Sequence, residues 1–413
     1  MPVIGNTSDV QELPWDIVSV CRHLPQPIDP NAGIFVLHRL CALGKLENLQ
    51  IIQPVPYAPL LRPLPRWARS PSHTAGSMQI THAPMFYLPG VLKSLDSFWL
   101  ANSIRALVSE RRRPGRKLIL DAHFGYPDGV ACVRIAKELG IPVFVTVRGR
   151  EIDVVRMPFH SRQLIDALNE ATGCISVSRS LLDTLASYGM RRDHAVAIPN
   201  AVDRTLFAPG NRQAARAALG IPDDIKVIVS VGNLIALKRH HIVIRAFANL
   251  REFAGKALLF IIGGGAYEAS YPQQIATLAR DCGVQDSVRM VGKVSQFEVA
   301  RYLQAANGFA LGTEREGCCN AVLEALAVGC PVVTTPVGDN AYYVTPPSNG
   351  FLVPVDDVTA MTEALLQVLS RDWDPHQIST NLDVGDWTEA ATRVQHFMRS
   401  RMQLQRDQFK SWS

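Results

Sequence analysis

The chain has 413 residues, 47% hydrophobic and 19% charged, a balance that excludes a disordered chain and a length that suits two domains rather than one core. A formal net charge of +5, with no Lys/Arg block interleaved with aromatics, excludes a dedicated nucleic-acid binder. No apolar run reaches the roughly 18 residues of a membrane-spanning helix. The stretch Met1–Val20 lacks a basic segment followed by an apolar one, so no secretion signal is expected. Eight cysteines without a C-x-x-C pair read as reduced core thiols of a cytosolic protein.

Short apolar runs alternate with helical patterns throughout, the pattern of parallel sheets built from βα units. Strands are expected at 16–21, 49–55, 118–124, 141–147, 173–178 and 195–200, with helices at 33–46, 95–112, 128–140, 161–171 and 178–190. The basic run Ser109–Lys117 reads as a solvated helix end. The segment Pro54–His73 breaks this rhythm: six prolines, with Arg62, Arg66 and Arg69 around Trp67, point to a long loop at the carboxyl end of a strand. It is either an ordinary surface loop or one facing an acceptor or a membrane.

The same grammar restarts after a polar, proline-containing stretch. Strands are expected at 226–234, 257–265, 288–294, 308–313, 331–338 and 350–355. Helices are expected at 239–254, 269–283, 296–307 and 320–328. The division is therefore a first domain at 1–205, a linker at 206–224, a second domain at 225–386 and an amphipathic C-terminal helix at 387–413.

The chemistry concentrates in Thr313–Gly338, "TEREGCCNAVLEALAVGCPVVTTPVG", where Glu316 and Glu324 stand with seven residues between them. Asn320 reads as the N-cap of a helix that Gly329 stops, with Pro331 beyond. Glu316 then lies in the loop before the helix and Glu324 about one turn inside it. Such loops sit at the carboxyl ends of parallel strands, where ligands bind. Helix-start N–H groups suit a phosphate, and Gly317 permits close approach. A carboxylate accepts hydrogen bonds from paired hydroxyls, so a ribose or a sugar would explain two acids beside a phosphate site. The plain alternative is an exposed helix residue and a loop charge.

Lys238 follows a strand and turn, where an ammonium meets a diphosphate or simply faces water. Gly263, Gly264 and Gly265 end another strand, but Glu268 occupies the position where a dinucleotide fingerprint needs glycine, which weakens a dehydrogenase reading.

Taken together, "LPQPIDPNAGIFVLHRLCAL", "DAHFGYPDGVACVRIAKELGIPVFVTVRGREID", "IPNAVDRTLFAP", "SVGNLIALKRH", "IIGGGAYE", "VRMVGKV" and the glutamate stretch resemble the family-four retaining glycosyltransferases. The resemblance covers most of the chain and implies an α/β GT-B fold. In that fold two Rossmann-like domains with parallel sheets face each other and a C-terminal helix crosses back to the first.

It also implies a nucleotide-sugar donor and a saccharide or lipid-linked saccharide acceptor. Cofactors and metal would be none. The cysteines point to a cytoplasmic setting, and the proline-arginine loop and the basic charge suit peripheral contact at the inner face of a membrane. By the resemblance, Glu316 contacts the donor sugar and Glu324 the ribose, while Lys238 and Gly33 face the diphosphate. Asn233, Gly264, Gly317, Cys318, Cys319 and Asn320 complete the donor site, and the backbone around Val291 packs the base. Arg148 and His123 join Glu316 and Lys238 as catalytic candidates.

The chain departs from the family's pattern at Asn233 for an arginine, Arg148 for a histidine, Tyr342 for a glutamate and Ala201 for a glycine. A weakly catalytic binding subunit and a nucleotide-sugar epimerase therefore stay open as alternatives.

Overall fold

The β-branched runs form the strands of two sheets, one from each half of the chain. The computed structural model describes residues 14–410 apart from 91, 251–255, 266, 267 and 269. Residues 1–13 of the leader reading, Ala266 and Tyr267 of the glycine-rich stretch and the end of the helix expected at 239–254 lie outside the described residues.

The first sheet contains β1 (Trp15–Val20), β2 (Asn48–Tyr57), β3 (Ser72–Ala75), β4 (Met78–Phe86), β5 (Lys117–His123), β6 (Val143–Val147), β7 (Gly173–Ser176) and β8 (Ala195–Ala197), in the order β3-β4-β2-β1-β5-β6-β7-β8. Pairing from β4 through β6 is parallel, and β3 closes the edge antiparallel to β4. Strand β2 runs through Pro54 and past its expected end at Val55, through Pro56 to Tyr57. Its pairing with β1 ends at Ile52, and only β4 accompanies it to Tyr57, so the two prolines lie where a ladder is already one-sided. The proline-rich stretch beyond holds the short turn of helix Arg66–Arg69.

The second sheet contains β9 (Lys226–Val231), β10 (Ala257–Ile262), β11 (Val288–Gly292), β12 (Gly308–Leu311), β13 (Val332–Thr334) and β14 (Gly350–Leu352), in the order β11-β10-β9-β12-β13-β14, parallel throughout. Alternate residues serve two cores: Val227, Val229, Phe260, Ile262 and Phe309 enter one, and Ile228, Leu259, Ile261 and Ala310 enter the other. The helix Asn320–Ala327 covers the first face with Val322 and Leu326, and His240–Ala248 covers the second with Val243 and Phe247. A sheet buried on both faces needs its strands apolar on both sides, as these are.

The chain divides into one unit of Met1–Ile175, Leu185–Val196 and Ala391–Ser413, and a second of Ser176–Thr184 and Ala197–Ala390. The stretch 206–224, read as a linker, carries the helix Arg212–Leu219 capped by Asn211, and Phe207, Ala215 and Ile221 sit in the second unit's core. Within the first unit, the C-terminal helix Trp387–Lys410 buries Val394 and Met398. Its Gln395 and Arg399 donate to Glu47 Oε1 at 2.7 and 2.8 Å, and Phe397 meets the edge of Phe144.

Candidate functional site

Parallel pairing in the second unit sends the loops Gly232–Arg239, Gly263–Gly265, Gly312–Cys319 and Thr335–Asp339 off the same edge of its sheet. The chain moves outward from β9 to β10 and β11, then returns past β9 to β12, so the gap between the β9 and β12 loops is a topological switch point. Lys238 stands on one side of it and Glu316 on the other, and Lys238 Nζ donates to Glu316 Oε1 at 2.5 Å. Burial alone would lower the ammonium's pKa, but the Glu316 carboxylate outweighs it, and the net shift is upward. Both side chains keep some solvent contact, 19% for Lys238 and 10% for Glu316, so a ligand can reach them.

Arg239 braces this pair from behind. It adopts a left-handed backbone (φ 54°) directly after Lys238 and holds Glu314 Oε2 at 2.7 Å and Asp356 Oδ1 at 2.9 Å. The Leu234 N–H donates to the Gly264 carbonyl at 2.9 Å, and a Cβ at Gly263 would lie 1.8 Å from the Gly232 carbonyl oxygen. The β10 loop therefore needs glycine to pack on the β9 loop. Asn233 is exposed on this edge, and Val291 closes β11 half-buried against the core.

Glu324 lies one turn into the helix Asn320–Ala327, only 6% exposed, and its carboxyl makes no hydrogen bond among the described residues. Burial pushes its pKa up to about 8, so it carries a proton at neutral pH. The N-cap expectation is corrected here. The helix starts at Asn320 itself, Cys319 precedes it, and no side chain caps the first turn. Asn320 Oδ1 instead accepts from Asn200 Nδ2 at 2.9 Å. Cys319 is buried and Cys318 half-buried beside it, and burial raises the Cys319 thiol far above its ordinary range. Gly338, at φ 59°, brings the next loop onto Glu316 and Gly317, and a Cβ there would come within 2.9 Å of the Glu316 carbonyl oxygen.

His123, Arg148 and Gly33 belong to the first unit. His123 ends β5 fully buried, with Nε2 3.0 Å from Asp121 Oδ2 and Nδ1 3.1 Å from Arg148 Nη2. A guanidinium only donates, so Nδ1 accepts, and the ring is neutral with its proton on Nε2 facing Asp121. Burial is the largest cause of a pKa pulled down to about 4, with the neighbouring arginines adding to it against Asp121. Burial also leads the lowering of Arg148 to about 9, which leaves it cationic. For Asp121 burial pulls upward, but His123, Arg39 and the hydroxyl of Ser19 (2.7 Å) outweigh it and hold the carboxylate ionised. Gly33 (φ 61°) begins the helix Ile34–Leu43, and a Cβ there would strike the His23 carbonyl oxygen at 1.9 Å.

Two partners in this cluster escaped sequence reasoning. Arg39 is 97% buried, and its Nε and Nη2 have no hydrogen-bond partner among the described residues. Its place in an apolar helical pattern gave no sign of this. Glu151 accepts from the N–H groups of Gly125 (2.7 Å), Arg148 (3.0 Å) and Gly149 (2.8 Å), tying the loops after β5 and β6 together. An acid three residues after Arg148, across a glycine turn, was the available signal.

Residues 211–382 match the family described as Glycosyl transferases group 1, and residues 61–206 match Glycosyltransferase Family 4. A D-inositol 3-phosphate glycosyltransferase of Corynebacterium aurimucosum is 31% identical over 255 residues, 59% of this chain and 60% of that protein. One from a Nocardioides species is 33% identical over 41% of this chain and 40% of that protein. The chain thus spans less than two thirds of the length of these curated relatives.

Among solved structures, sucrose-phosphate synthase of Thermosynechococcus elongatus superposes with a TM-score of 0.74 at 19% identity, covering 96% of this chain and all of that one. HepE of Anabaena, in complex with UDP and glucose, superposes at 0.71 and 14% identity over 94% of this chain and all of that one.

Proposed function

The chain belongs to the family-four glycosyltransferases with the GT-B fold, and from that premise we propose that it moves a hexose-type sugar from a nucleoside-diphosphate donor to a hydroxyl of a saccharide or lipid-linked saccharide. The transfer proceeds with retention of anomeric configuration and serves surface polysaccharide synthesis. The observation that carries this reading is the switch point flanked by Lys238 and Glu316, with protonated Glu324 one helical turn away.

Donor binding exchanges the partners of that ion pair. The diphosphate takes Lys238 and the positive end of the helix Asn320–Ala327, while a sugar hydroxyl donates to Glu316. Glu324 faces the ribose hydroxyls. As the glycosidic bond to the diphosphate breaks, negative charge grows on the leaving oxygen, and the Lys238 ammonium already stands where it stabilises that charge. Cation and helix end together fill this role without a bound metal. His123, sealed from solvent, orients Arg148 rather than touching substrate. UDP in the HepE complex supports a nucleotide donor of this type.

Calorimetric titration with UDP, GDP and ADP, in the presence of a chelator, tests the reading. One nucleotide is expected to bind, and Glu324→Ala is expected to weaken it roughly 10- to 100-fold, the loss of hydrogen bonds to a buried acid. Binding that is absent for all three, or unchanged in the variant, overturns it. An epimerase would bind equally but convert the donor sugar without an acceptor, which product analysis separates.

A further inference from the structure

On the edge hairpin of the first sheet, His73 of β3 and His82 of β4 face each other, with His73 Nδ1 2.6 Å from His82 Nε2. The other nitrogen of each ring meets a backbone carbonyl. His73 Nε2 lies 3.0 Å from the Pro25 oxygen, and His82 Nδ1 lies 2.7 Å from the Ser70 oxygen. A carbonyl only accepts, so both outer nitrogens carry protons. A neutral imidazole has one proton, here already turned outward, and two neutral rings would oppose lone pairs across 2.6 Å. One further proton turns that clash into an N–H···N hydrogen bond.

A metal ion suits the gap less well. Histidines that bind metal also turn their outer N–H to carbonyls. Zinc at tetrahedral angles, however, holds two nitrogens about 3.3 Å apart. No third His, Cys, Asp or Glu joins the pair among the described residues.

The surroundings accommodate one charge rather than two. His82 is buried, and burial is the largest cause of its lowered pKa, with His73 adding to the fall against the Ser70 carbonyl. Strands β3 and β4 carry no other titratable side chain. On the short helix beside them Arg66 and Arg69 are exposed, while the Trp67 ring meets both imidazoles edge-on, at 5.8 and 5.1 Å. Arg111 reaches Thr81, which points to the opposite face of β4 from His82. On the segment after β1, Arg22 is bonded to Asp128, His23 to Arg150, and Asp29 accepts from the Asn31 N–H. Among the described residues, then, no carboxylate partners either ring.

We propose that His73 and His82 share a single proton and work as a pH-sensitive latch. With the proton in place, the pair fastens two segments to the hairpin: Pro25, on the stretch from β1 to Gly33, and Ser70, which follows the helix Arg66–Arg69. When the proton leaves as pH rises, the facing lone pairs repel, and one ring gives up its carbonyl. The fastened form is the protonated one, so the latch holds on the acid side and opens on the alkaline side. The inference stands apart from the sugar-transfer reading, since Lys238, Glu316 and Glu324 belong to the other unit.

Ring-nitrogen NMR of the full chain with histidine-selective labelling, in chelator and from about pH 5 to about pH 9, tests it. On the acid side both outer nitrogens are expected to be protonated and the inner two to share one proton. Both rings should then change together in one step. His73→Gln and His82→Gln should each abolish that step, and His73 is only partly buried, which spares the fold in its variant. Amide exchange across residues 22–33 should accelerate about fivefold beyond its ordinary rise with pH as the step is crossed, the loss of one hydrogen bond. In His73→Gln that extra acceleration should vanish. Rings that titrate independently, inner nitrogens that share no proton, or amide exchange that ignores the step would each overturn the proposal. Ring signals that zinc shifts and a chelator restores would assign the facing nitrogens to a metal and overturn it as well.

Discussion

Two clusters of charge, one in each unit, are built on opposite plans. In the first unit Asp121, His123 and Arg39 are sealed from solvent, and Asp121, His123 and Arg148 bind one another along a line of hydrogen bonds. In the second, Lys238 and Glu316 share one contact and keep solvent access, and the helix after Glu316 carries an acid, Glu324, that holds its proton. A buried cluster of opposed charges fixes geometry, because any change of partner leaves an uncompensated charge. An open pair can trade partners at low cost, which is what a binding site requires.

The comparison would break most visibly if the sealed cluster tolerated neutralisation. Asp121→Asn leaves Arg39 and Arg148 without their carboxylate and is expected to lose about 3–5 kcal/mol in chemical denaturation. Glu316→Gln, in the open pair, should lose about 1 kcal/mol or less. Equal losses would mean that the two clusters do not differ in kind. Next in size, Lys238→Ala should lower the rate of sugar transfer by roughly 10²–10³-fold in single-turnover assays, with little change in melting temperature. A variant that transfers normally would place the leaving-group charge elsewhere.

The smallest effect lies in the pH dependence, where the two clusters push in opposite directions. His123 is held near 4, below its ordinary 6.5, so the unfolded chain binds more protons in that window. Its contribution to stability is full above 6.5 and is lost as pH falls toward 4. Glu324 is raised to about 8 from 4.5, so the native state binds more protons between those values. Its contribution is full below 4.5 and is lost as pH rises toward 8. Glu324→Gln removes the second limb only. The variant should gain on the parent chain at pH 8, with the gap narrowing toward pH 5, as read from melting curves. A gap that does not narrow would assign the gain to packing.

Much of this was legible because strands buried on both faces print long apolar runs, and because Lys238 and Glu316 sit just past two of them. What stayed hidden depended on partners far away in the chain. Pro54 and Pro56 argued against a strand, yet β2 continues because β1 has ended beside them. Strands β3 and β4 follow the proline stretch that was read as irregular, and β4 carries Pro84 where a strand pattern would be discounted. Asn320 has the right chemistry for an N-cap, but Asn200, 120 residues earlier, takes its side chain. Arg39 looks like a solvent-facing position on an amphipathic helix, and only the fold brings it beside Asp121. The helix Arg212–Leu219 was judged a linker by its prolines and polarity, although Phe207 and Ile221 were signalling burial.

The chain order of the two units has a consequence for synthesis. The first unit includes Ala391 onward, so Glu47 waits for Gln395 and Arg399, and Phe144 for Phe397, until translation has passed all of the second unit. A ribosome-bound chain would therefore complete the second unit first, reversing the usual N-to-C order of domain folding. A premature stop before Gln395 would leave Glu47 and Phe144 without these partners. Quality control would then sense whether the last helix has been made through the stability of residues made long before it.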